Sequence, residues 1–413
     1  MFLKIDTNCL PPHPSASESV ASVHRALHAR VDLGELPFLR LHEDEGTIAC
    51  VEEAAALAQS SFDDAVVLGI GGSSLGGRAL VRALGGAGLR LHFSDNVDPE
   101  RLHRLLADLD LSRTLFYVVS KSGSTLETIA QFRIVRERLI AYFGEEGYRE
   151  RVVIATDPQQ GFLRALVQRE DLRAFELPPG VGGRFSGLTP AGLFPAALAG
   201  VDIRRVMKGM AWAVERVQSP NPAENQVLGL ADRLVTLDQA GGRSVLATVP
   251  YSEALRPVGD WFAQLWAESL GKGGRGPTVV TATGSTAQHS QLQRWMDGQP
   301  THVLVFIEVA SVAHDLRVPS DDFAHDPDVG WMTGHTLSHI LRVEREATEQ
   351  ALFEAGHPSM TWRLPSLCPE SVGALLVCLE ALTAYAGGLY GINPFDQPGV
   401  EQGKKNARRL LGG

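Results

Sequence analysis

Short apolar segments rich in β-branched residues alternate with helical patterns along most of this 413-residue chain. A first group of predicted strands lies at 65–70, 89–93, 114–120 and 151–156. A second group lies at 243–250, 277–284 and 302–310. Strands and helices that alternate at this spacing predict parallel sheets covered by helices on both faces. The sequence therefore predicts an α/β protein with two domains of similar construction.

Composition divides the chain into four predicted parts. Residues 1–60 are polar and favour helix, so they are expected to form an N-terminal helical cap. Residues 61–180 and 226–413 are expected to form the two α/β domains, the second with additional C-terminal helices. Residues 181–225 are rich in Gly, Pro and small residues and are expected to cross between the domains. Ligands of open parallel sheets bind where strands end, so the loops directly after strands should carry the chemistry.

The charge and cysteine content exclude several classes of protein. Lys and Arg number 38 and Asp and Glu 48, which gives a formal net charge of −10. Nucleic acid is therefore not expected as a partner, since binding it requires clustered positive charge. A small anion could still bind at a helix N-terminus. The four cysteines (Cys9, Cys50, Cys368 and Cys378) form no CxxC pair, which indicates neither a disulfide framework nor a zinc site and fits the reducing cytoplasm.

No segment of the sequence predicts secretion or a membrane span. The first residues, MFLKIDTNCLPPHP, carry two early charges and lack the apolar segment of a signal peptide. The longest apolar stretches, 185–201 and 372–392, are interrupted by two prolines and by Glu380, respectively. Neither reaches the ~18 consecutive apolar residues of a membrane helix. Both are predicted to be buried core elements.

The first candidate ligand-binding turn is GIGGSSLGG (69–77), which follows a predicted strand and begins a helix. A dinucleotide fingerprint would need Gly where Ser74 stands, and a P-loop would need GKS or GKT at 76–78, where the chain has GGR. Glycines such as Gly72 would let the backbone approach a ligand closely, and Ser73 offers a hydroxyl. A tight strand-to-helix turn without a ligand explains the same residues, so both interpretations stay open.

The second candidate turn is SKSGSTLET (120–128), which also follows a predicted strand. Ser124 and Glu127 match a capping box, so the alternative interpretation is a well-capped helix. One cap needs only one hydroxyl, yet the turn supplies four. These are Ser120, Ser122, Ser124 and Thr125. Surplus hydroxyls at the positive end of a helix favour a phosphate site.

Charged candidates follow in the crossover and in the second domain. GVGGRFSGLTPAG (180–192) places Arg184 among glycines and apolar residues, where a guanidinium would need an anionic partner. QLWAESLGK (264–272) places Glu268 among apolar residues of a predicted helix. The alternative interpretation of Glu268 is a surface pair with Lys272, four residues later.

The last two candidate segments follow in the second domain. GSTAQHSQLQ (284–293) places His289 directly after a predicted strand, although a lone histidine is more often structural. NPFDQPGVEQGKK (393–405) places Gln397 before and Lys404 on a predicted final helix. A C-terminal lysine commonly interacts only with the helix dipole.

Together these six segments resemble the glucose-6-phosphate isomerase family, in which they occur in the same order. The resemblance covers the chain from about residue 60 to residue 405. It implies two sugar-isomerase (SIS) domains, each a five-stranded parallel sandwich. It also implies the interconversion of glucose 6-phosphate and fructose 6-phosphate in glycolysis and gluconeogenesis, without a cofactor or a metal, by a cytoplasmic homodimer.

The resemblance further implies a role for each candidate residue. Glu268 would move the proton between C1 and C2, and Arg184 would stabilise the enediolate. His289, acting in the partner's site, and Lys404 would open the sugar ring. The residues implied in substrate binding are Gly72, Ser73, Ser120, Lys121, Ser122, Thr125 and Gln397.

The chain departs from many family members in two respects. It resembles the compact bacterial type, and residues 122–124 read SGS where many members have bulky or Thr residues. The sequence therefore does not decide which hydroxyls contact the phosphate.

Two other functions compete with this interpretation. A dual phosphoglucose/phosphomannose isomerase shares the architecture, but the complete DQPGVEQGK and GGRFS segments favour the glucose-specific type. A non-catalytic SIS regulator would have no use for Glu268, Arg184, His289 and Lys404 together.

Overall fold

The computed structural model describes residues 1–13 and 18–412. These residues form ten strands and fourteen α-helices. The strands are β1 (Lys4–Asp6), β2 (Asp64–Leu68), β3 (Arg90–Ser94), β4 (Thr114–Val119), β5 (Val152–Thr156), β6 (Arg173–Glu176), β7 (Val245–Pro250), β8 (Thr278–Thr281), β9 (His302–Ser311) and β10 (Ser359–Ser366). The helices are α1 (Glu18–Asp32), α2 (Glu45–Ser61), α3 (Gly72–Leu84), α4 (Pro99–Asp108), α5 (Leu126–Glu150), α6 (Phe162–Glu170), α7 (Pro190–Leu198), α8 (Ile203–Val217), α9 (Gln226–Gln239), α10 (Arg256–Leu270), α11 (Leu292–Asp297), α12 (Leu337–Glu354), α13 (Pro369–Tyr390) and α14 (Glu401–Leu410).

The first sheet has five parallel strands in the order β3-β2-β4-β5-β6. Its central strands, β2 and β4, are buried at every residue, as expected of a parallel sheet covered on both faces. The predicted parallel α/β construction is confirmed, and four of the five strands lie where the apolar segments predicted them. The fifth, β6, is short and has charged ends, so its sequence carries only a weak strand signal.

The second sheet has the order β1-β10-β9-β7-β8. β7 to β10 are parallel, whereas β1 pairs antiparallel with β10, so the expectation of a purely parallel second sheet is wrong. β1 lies in the stretch predicted to be a helical cap, and its three residues are too short to show alternation. β10 lies where only C-terminal helices were expected; Arg363 and Pro365 interrupt its apolar pattern.

Helix α13 lies at the centre of the protein and packs against α8, α9, α10 and α1. Among the described residues, it alone is long and apolar enough to match a membrane span by length and composition, and 89% of its apolar window is buried inside the protein. Glu380 of this helix is 1% exposed, and neither of its carboxylate oxygens has a hydrogen-bond partner. Burial raises the pKa of Glu380 well above its usual range, because a low-dielectric interior disfavours the charged carboxylate.

Close backbone contacts fix the crossover segment against the first sheet. A Cβ atom on Gly72 would lie 2.0 Å from the carbonyl oxygen of Gly183, and one on Gly76 would lie 2.6 Å from Cα of Gly187. Only glycine leaves room for this approach. The crossover is therefore packed directly on the start of α3, at the edge of the sheet where β2 and β4 end.

Candidate functional site

The turn before α3 has a backbone conformation that favours glycine. Gly71 has φ 59° and serves as the N-cap of α3. The hydroxyl of Ser186 donates to the carbonyl oxygen of Gly72 at 3.2 Å, and Ser73 is half-buried. Gly72 therefore allows the backbone of the crossover segment to approach, as the contact with Gly183 shows. Ser73 is the next residue along the chain.

The hydroxyls of the turn 120–125 lie together at the start of α5. The hydroxyls of Ser120 and Thr125 share a hydrogen bond of 2.8 Å, and those of Ser122 and Thr125 lie 3.4 Å apart. The N-cap of α5 is Thr125, and its side chain makes no capping hydrogen bond, so the capping-box interpretation of Ser124 is wrong. The cluster therefore combines three hydroxyls with the uncapped positive end of a helix.

Lys121 connects this turn to the crossover. Its ammonium donates to the carbonyl oxygen of Val181 at 2.5 Å. Burial lowers the pKa of Lys121, although the charge of Asp157 opposes that shift. This hydrogen bond joins the hydroxyl turn to the crossover segment at Val181, three residues before Arg184.

Arg184 is 3% exposed and is surrounded by acceptors. Its Nε donates to the hydroxyl of Ser269 at 2.7 Å, and its Nη1 donates to Oε1 of Gln397 at 2.9 Å. Its Nη2 donates to the carbonyl oxygens of Pro394 at 2.6 Å and Asp396 at 2.9 Å. Burial lowers the pKa of Arg184, but a guanidinium remains charged at neutral pH. The predicted buried guanidinium is present, and it is held in one orientation from four directions.

Glu268 lies on the last turn of α10, beside this guanidinium. Its Oε2 is 3.5 Å from Nη1 of Arg184, and its Oε1 accepts from Nε2 of Gln264 at 3.0 Å. The side chain of Glu268 is 35% exposed, so it can be reached by a ligand. Lys272 pairs with Asp396 at 2.7 Å, so the alternative interpretation of a Glu268–Lys272 surface pair is wrong.

His289 and Lys404 lie outside this cluster. No hydrogen bond or ion pair within residues 1–13 and 18–412 joins either side chain to Arg184 or Glu268. His289 is exposed at the end of a 3-10 helix, which Gln288 holds against α12 through the carbonyl oxygen of Glu344 at 2.8 Å. Lys404 pairs with Glu401 at 2.8 Å on α14, a helix without buried residues.

Three residues of the site were missed by the sequence analysis. Gln264 holds Glu268, Ser269 holds Arg184, and the backbone of Asp396 accepts from Arg184. Gln264 could have been found, because it precedes Glu268 by one helical turn and must share its face. Neither of the other two contacts leaves a local pattern, since they join residues 85 and 212 positions apart.

The arrangement suits the removal of a proton from carbon beside a carbonyl group. An accessible carboxylate can accept the proton, and a fixed guanidinium beside it can stabilise the negative charge that develops on oxygen. Within the described part of the chain, no group of three or more His, Cys, Asp or Glu side chains is placed to hold a metal ion.

Comparison with known proteins places the chain among sugar-phosphate isomerases. The family model described as phosphoglucose isomerase matches residues 52–412. Glucose-6-phosphate isomerase of Rubrobacter xylanophilus is 43% identical over 91% of this chain and 88% of its own length. An enzyme of Thermus thermophilus with the same name is 38% identical over the full length of both chains.

Solved structures agree with these sequence matches. The crystal structure of a hypothetical protein from Thermus thermophilus superimposes with a TM-score of 0.92 at 37% identity and covers both chains completely. A glucose-6-phosphate isomerase from Chlamydia trachomatis superimposes with a TM-score of 0.78 at 25% identity, over 98% of this chain and 80% of its own. The chain therefore belongs to the phosphoglucose isomerase family.

Proposed function

We propose that this protein interconverts glucose 6-phosphate and fructose 6-phosphate through an enediolate intermediate. The observation that carries the proposal is the ion pair of Glu268 and Arg184 at 3.5 Å, one partner accessible and the other buried and fixed. Membership of the phosphoglucose isomerase family and the names of the relatives support the same reaction.

Glu268 is the base of the proposed reaction. Its carboxylate takes the proton from C2 of the open-chain aldose, and the electron pair moves into an enediolate whose oxygens face the guanidinium of Arg184. Returning the proton to C1, while the hydroxyl proton of O2 passes to O1, gives the ketose, so no atom is gained or lost. The hydrogen bond from Gln264 orients the carboxylate for both transfers.

The phosphate group of the substrate is assigned to the turn 120–125. Ser120, Ser122 and Thr125 supply the hydroxyls, and the uncapped start of α5 supplies backbone N–H groups and a positive partial charge. Lys121 and the turn containing Gly72 and Ser73 border this site. Strands β2 and β4 are neighbours in the sheet, so both turns leave the same edge.

Ring opening is assigned to His289 and Lys404, and it requires assembly. His289 is exposed and separate from the cluster, which is consistent with a role in the site of a second copy in a two-fold dimer. The segment after β9 supports such an assembly, because its large apolar side chains are exposed: Leu316 at 71%, Phe323 at 66% and Trp331 at 69%. Several large exposed apolar side chains within one segment are a feature of protein interfaces when they form a common surface.

Mixing two damaged chains tests the dimer. Glu268→Gln and His289→Ala chains are each expected to be inactive, and subunit exchange between equal amounts should form mixed dimers. If His289 acts across the interface, each mixed dimer has one intact site, and activity should recover to about a quarter of wild type. If no activity returns although exchange is confirmed by mass spectrometry, His289 does not act in the partner's site.

A coupled assay tests the reaction itself. Purified protein is incubated with fructose 6-phosphate, and glucose 6-phosphate is detected through glucose-6-phosphate dehydrogenase, with mannose 6-phosphate measured in parallel. Steady formation of glucose 6-phosphate by the wild type is the expected result, in the presence of EDTA and without added nucleotide. Absence of product with fructose 6-phosphate would overturn the proposal. A protein of this function would work in the cytoplasm, where sugar phosphates are metabolised.

A further inference from the structure

The C-terminal turn (393–397) is held over the candidate site by two cations, of which only Arg184 belongs to the proposed machinery. The other is Lys272, which lies two residues beyond the end of α10. Its ammonium donates to the carbonyl oxygen of Asn393 at 2.5 Å, to that of Asp396 at 2.6 Å, and to the carboxylate of Asp396 at 2.7 Å.

The contacts of Lys272 are those of an internal anchor. Its side chain is 17% exposed, and an ammonium has three N–H donors, so the three oxygens satisfy it completely. The hydrogen bond from Lys272 lowers the pKa of Asp396 and keeps that carboxylate ionised. The other carboxylate oxygen of Asp396 accepts from the side chain of Asn393 at 2.8 Å, which closes the turn on itself.

Lys272 and Arg184 share an acceptor. The carbonyl oxygen of Asp396 receives hydrogen bonds from Nζ of Lys272 and from Nη2 of Arg184. The next residue, Gln397, accepts from Nη1 of the same guanidinium, and that nitrogen is the one facing Glu268. A shift of the turn would therefore move the acceptors that set the orientation of Arg184.

We propose that Lys272 is a positioning residue for the isomerisation: it holds the turn 393–397 so that Gln397 and the carbonyl oxygens of the turn aim the guanidinium of Arg184 at the enediolate. The inference rests on the proposed roles of Arg184 and Gln397. Lys272 itself touches no substrate. Its ammonium is fully engaged with the turn.

The turn has few other anchors on its C-terminal side. Helix α14, which follows it, contains no buried residue and cannot hold the turn in place. Within the turn, the ring of Phe395 packs against those of Phe38 and Phe185, with centroids 5.9 and 5.3 Å away. These aromatic contacts should keep the segment docked without Lys272, so the variants described below are expected to fold.

The first test replaces the ammonium by an apolar group of similar length. Lys272→Met is expected to lower kcat by about 10²-fold with little change in KM, because misplacing a group that acts in the transition state affects chemistry more than binding. Lys208→Met is the matched control, since Lys208 is exposed on α8 and should leave both constants unchanged. A Lys272→Met protein with wild-type kcat overturns the inference.

A double-mutant cycle separates positioning from general destabilisation. If Lys272 acts through the turn, the two substitutions remove the same interaction. The double variant Lys272→Met, Gln397→Ala should then have a kcat no more than about twofold below that of the worse single variant. If the two losses multiply in full, Lys272 acts independently of Gln397 and the inference is overturned. Should Lys272→Met not fold, Asp396→Asn removes the ionic partner alone and should lower kcat in the same direction, and unchanged kcat there overturns the inference too.

The single variants also distinguish this inference from the function on which it rests. If Gln397→Ala is impaired while Lys272→Met is not, only the positioning role of Lys272 fails. If Gln397→Ala behaves as wild type, the proposed role of Gln397 fails and the inference fails with it. If the wild type does not convert fructose 6-phosphate, the proposed function is wrong before either variant is made.

Discussion

The carboxyl edges of the two sheets differ in how their polar groups are used. At the first sheet, the hydroxyls of the turn 120–125 contact one another and carry no charge. At the second, Arg345 is 2% exposed and forms ion pairs with Glu308, Glu346 and Glu349, while Arg363 pairs with Glu308 as well. One sheet thus has donors available to a ligand at its carboxyl edge, whereas the other pairs its charges internally.

This difference shows that open space alone does not identify a site. A cavity of about 970 Å³ lies at the edge of the second sheet and is lined by Glu308, Arg345 and Arg363. A ligand there would compete with ion pairs that are already formed in a buried setting, where breaking one is costly. The first sheet instead meets the crossover and α10, where Arg184 faces the accessible carboxylate of Glu268.

The largest expected effect comes from replacing the carboxylate of Glu268. Glu268→Gln should lower the rate of isomerisation by about 10²–10⁴-fold, because the amide cannot accept the proton. Binding of fructose 6-phosphate, measured by calorimetry, should persist, since the hydroxyl turn is untouched. Glu308→Gln is the control at the second sheet and should isomerise normally once folded. Solvent exchange of the C2 proton at the wild-type rate in Glu268→Gln would show that another group is the base.

Arg184→Lys should have the next largest effect, a loss in kcat of about 10²–10³-fold. An ammonium cannot reproduce the planar fork that contacts Ser269, Gln397 and the carbonyl oxygens of the turn at once. Steady-state kinetics with fructose 6-phosphate separate the two constants. A large rise in KM with unchanged kcat would instead assign Arg184 to binding of the phosphate in the ground state.

These two residues also show how far sequence reasoning reaches. Glu268 and Arg184 were predicted because each is a charged residue among apolar residues or glycines. The segments that contain them also occur in the order seen in a known family. Their contact joins residues 84 positions apart and could not be derived from either segment. The strands of the first sheet were predicted from apolar β-branched runs, whereas β1 and β10 were missed because pairing with neighbouring strands, rather than local pattern, makes them strands.

At the second sheet, removing a partner of the buried arginine should affect stability rather than chemistry. Glu308→Gln is expected to lower the free energy of unfolding by about 3 kcal/mol, because it leaves Arg345 and Arg363 with fewer anionic partners. Urea unfolding measures the change, with Glu346→Gln as a control on an exposed member of the same cluster. Equal effects of the two substitutions would contradict the importance given to burial.

A buried acid without a partner provides the most gradual effect, which is smallest near pH 5. The pKa of Glu380 is raised in the folded protein, so the native state keeps a proton that the unfolded chain releases above about pH 4.3. Stability from this group is therefore present at low pH and lost as pH rises, by about 1.4 kcal/mol per pH unit until the folded pKa is reached.

Comparison with a residue that does not ionise isolates that contribution. Glu380→Gln should remove the slope, so the difference in unfolding free energy between wild type and variant should grow as the pH rises above about 5, in favour of the variant. Parallel curves over this range would show that Glu380 does not remain protonated in the folded protein.

The position of a bound sugar phosphate tests the contrast between the two edges most directly. Crystals of Glu268→Gln, which should bind without rapid turnover, would be soaked with fructose 6-phosphate and the ligand located by diffraction. We expect the phosphate within hydrogen-bond distance of the hydroxyls of Ser120, Ser122 or Thr125, and the C1–C2 end of the sugar beside Arg184. Ligand bound at the cavity of Arg345 and Glu308, with the hydroxyl turn empty, would contradict the account.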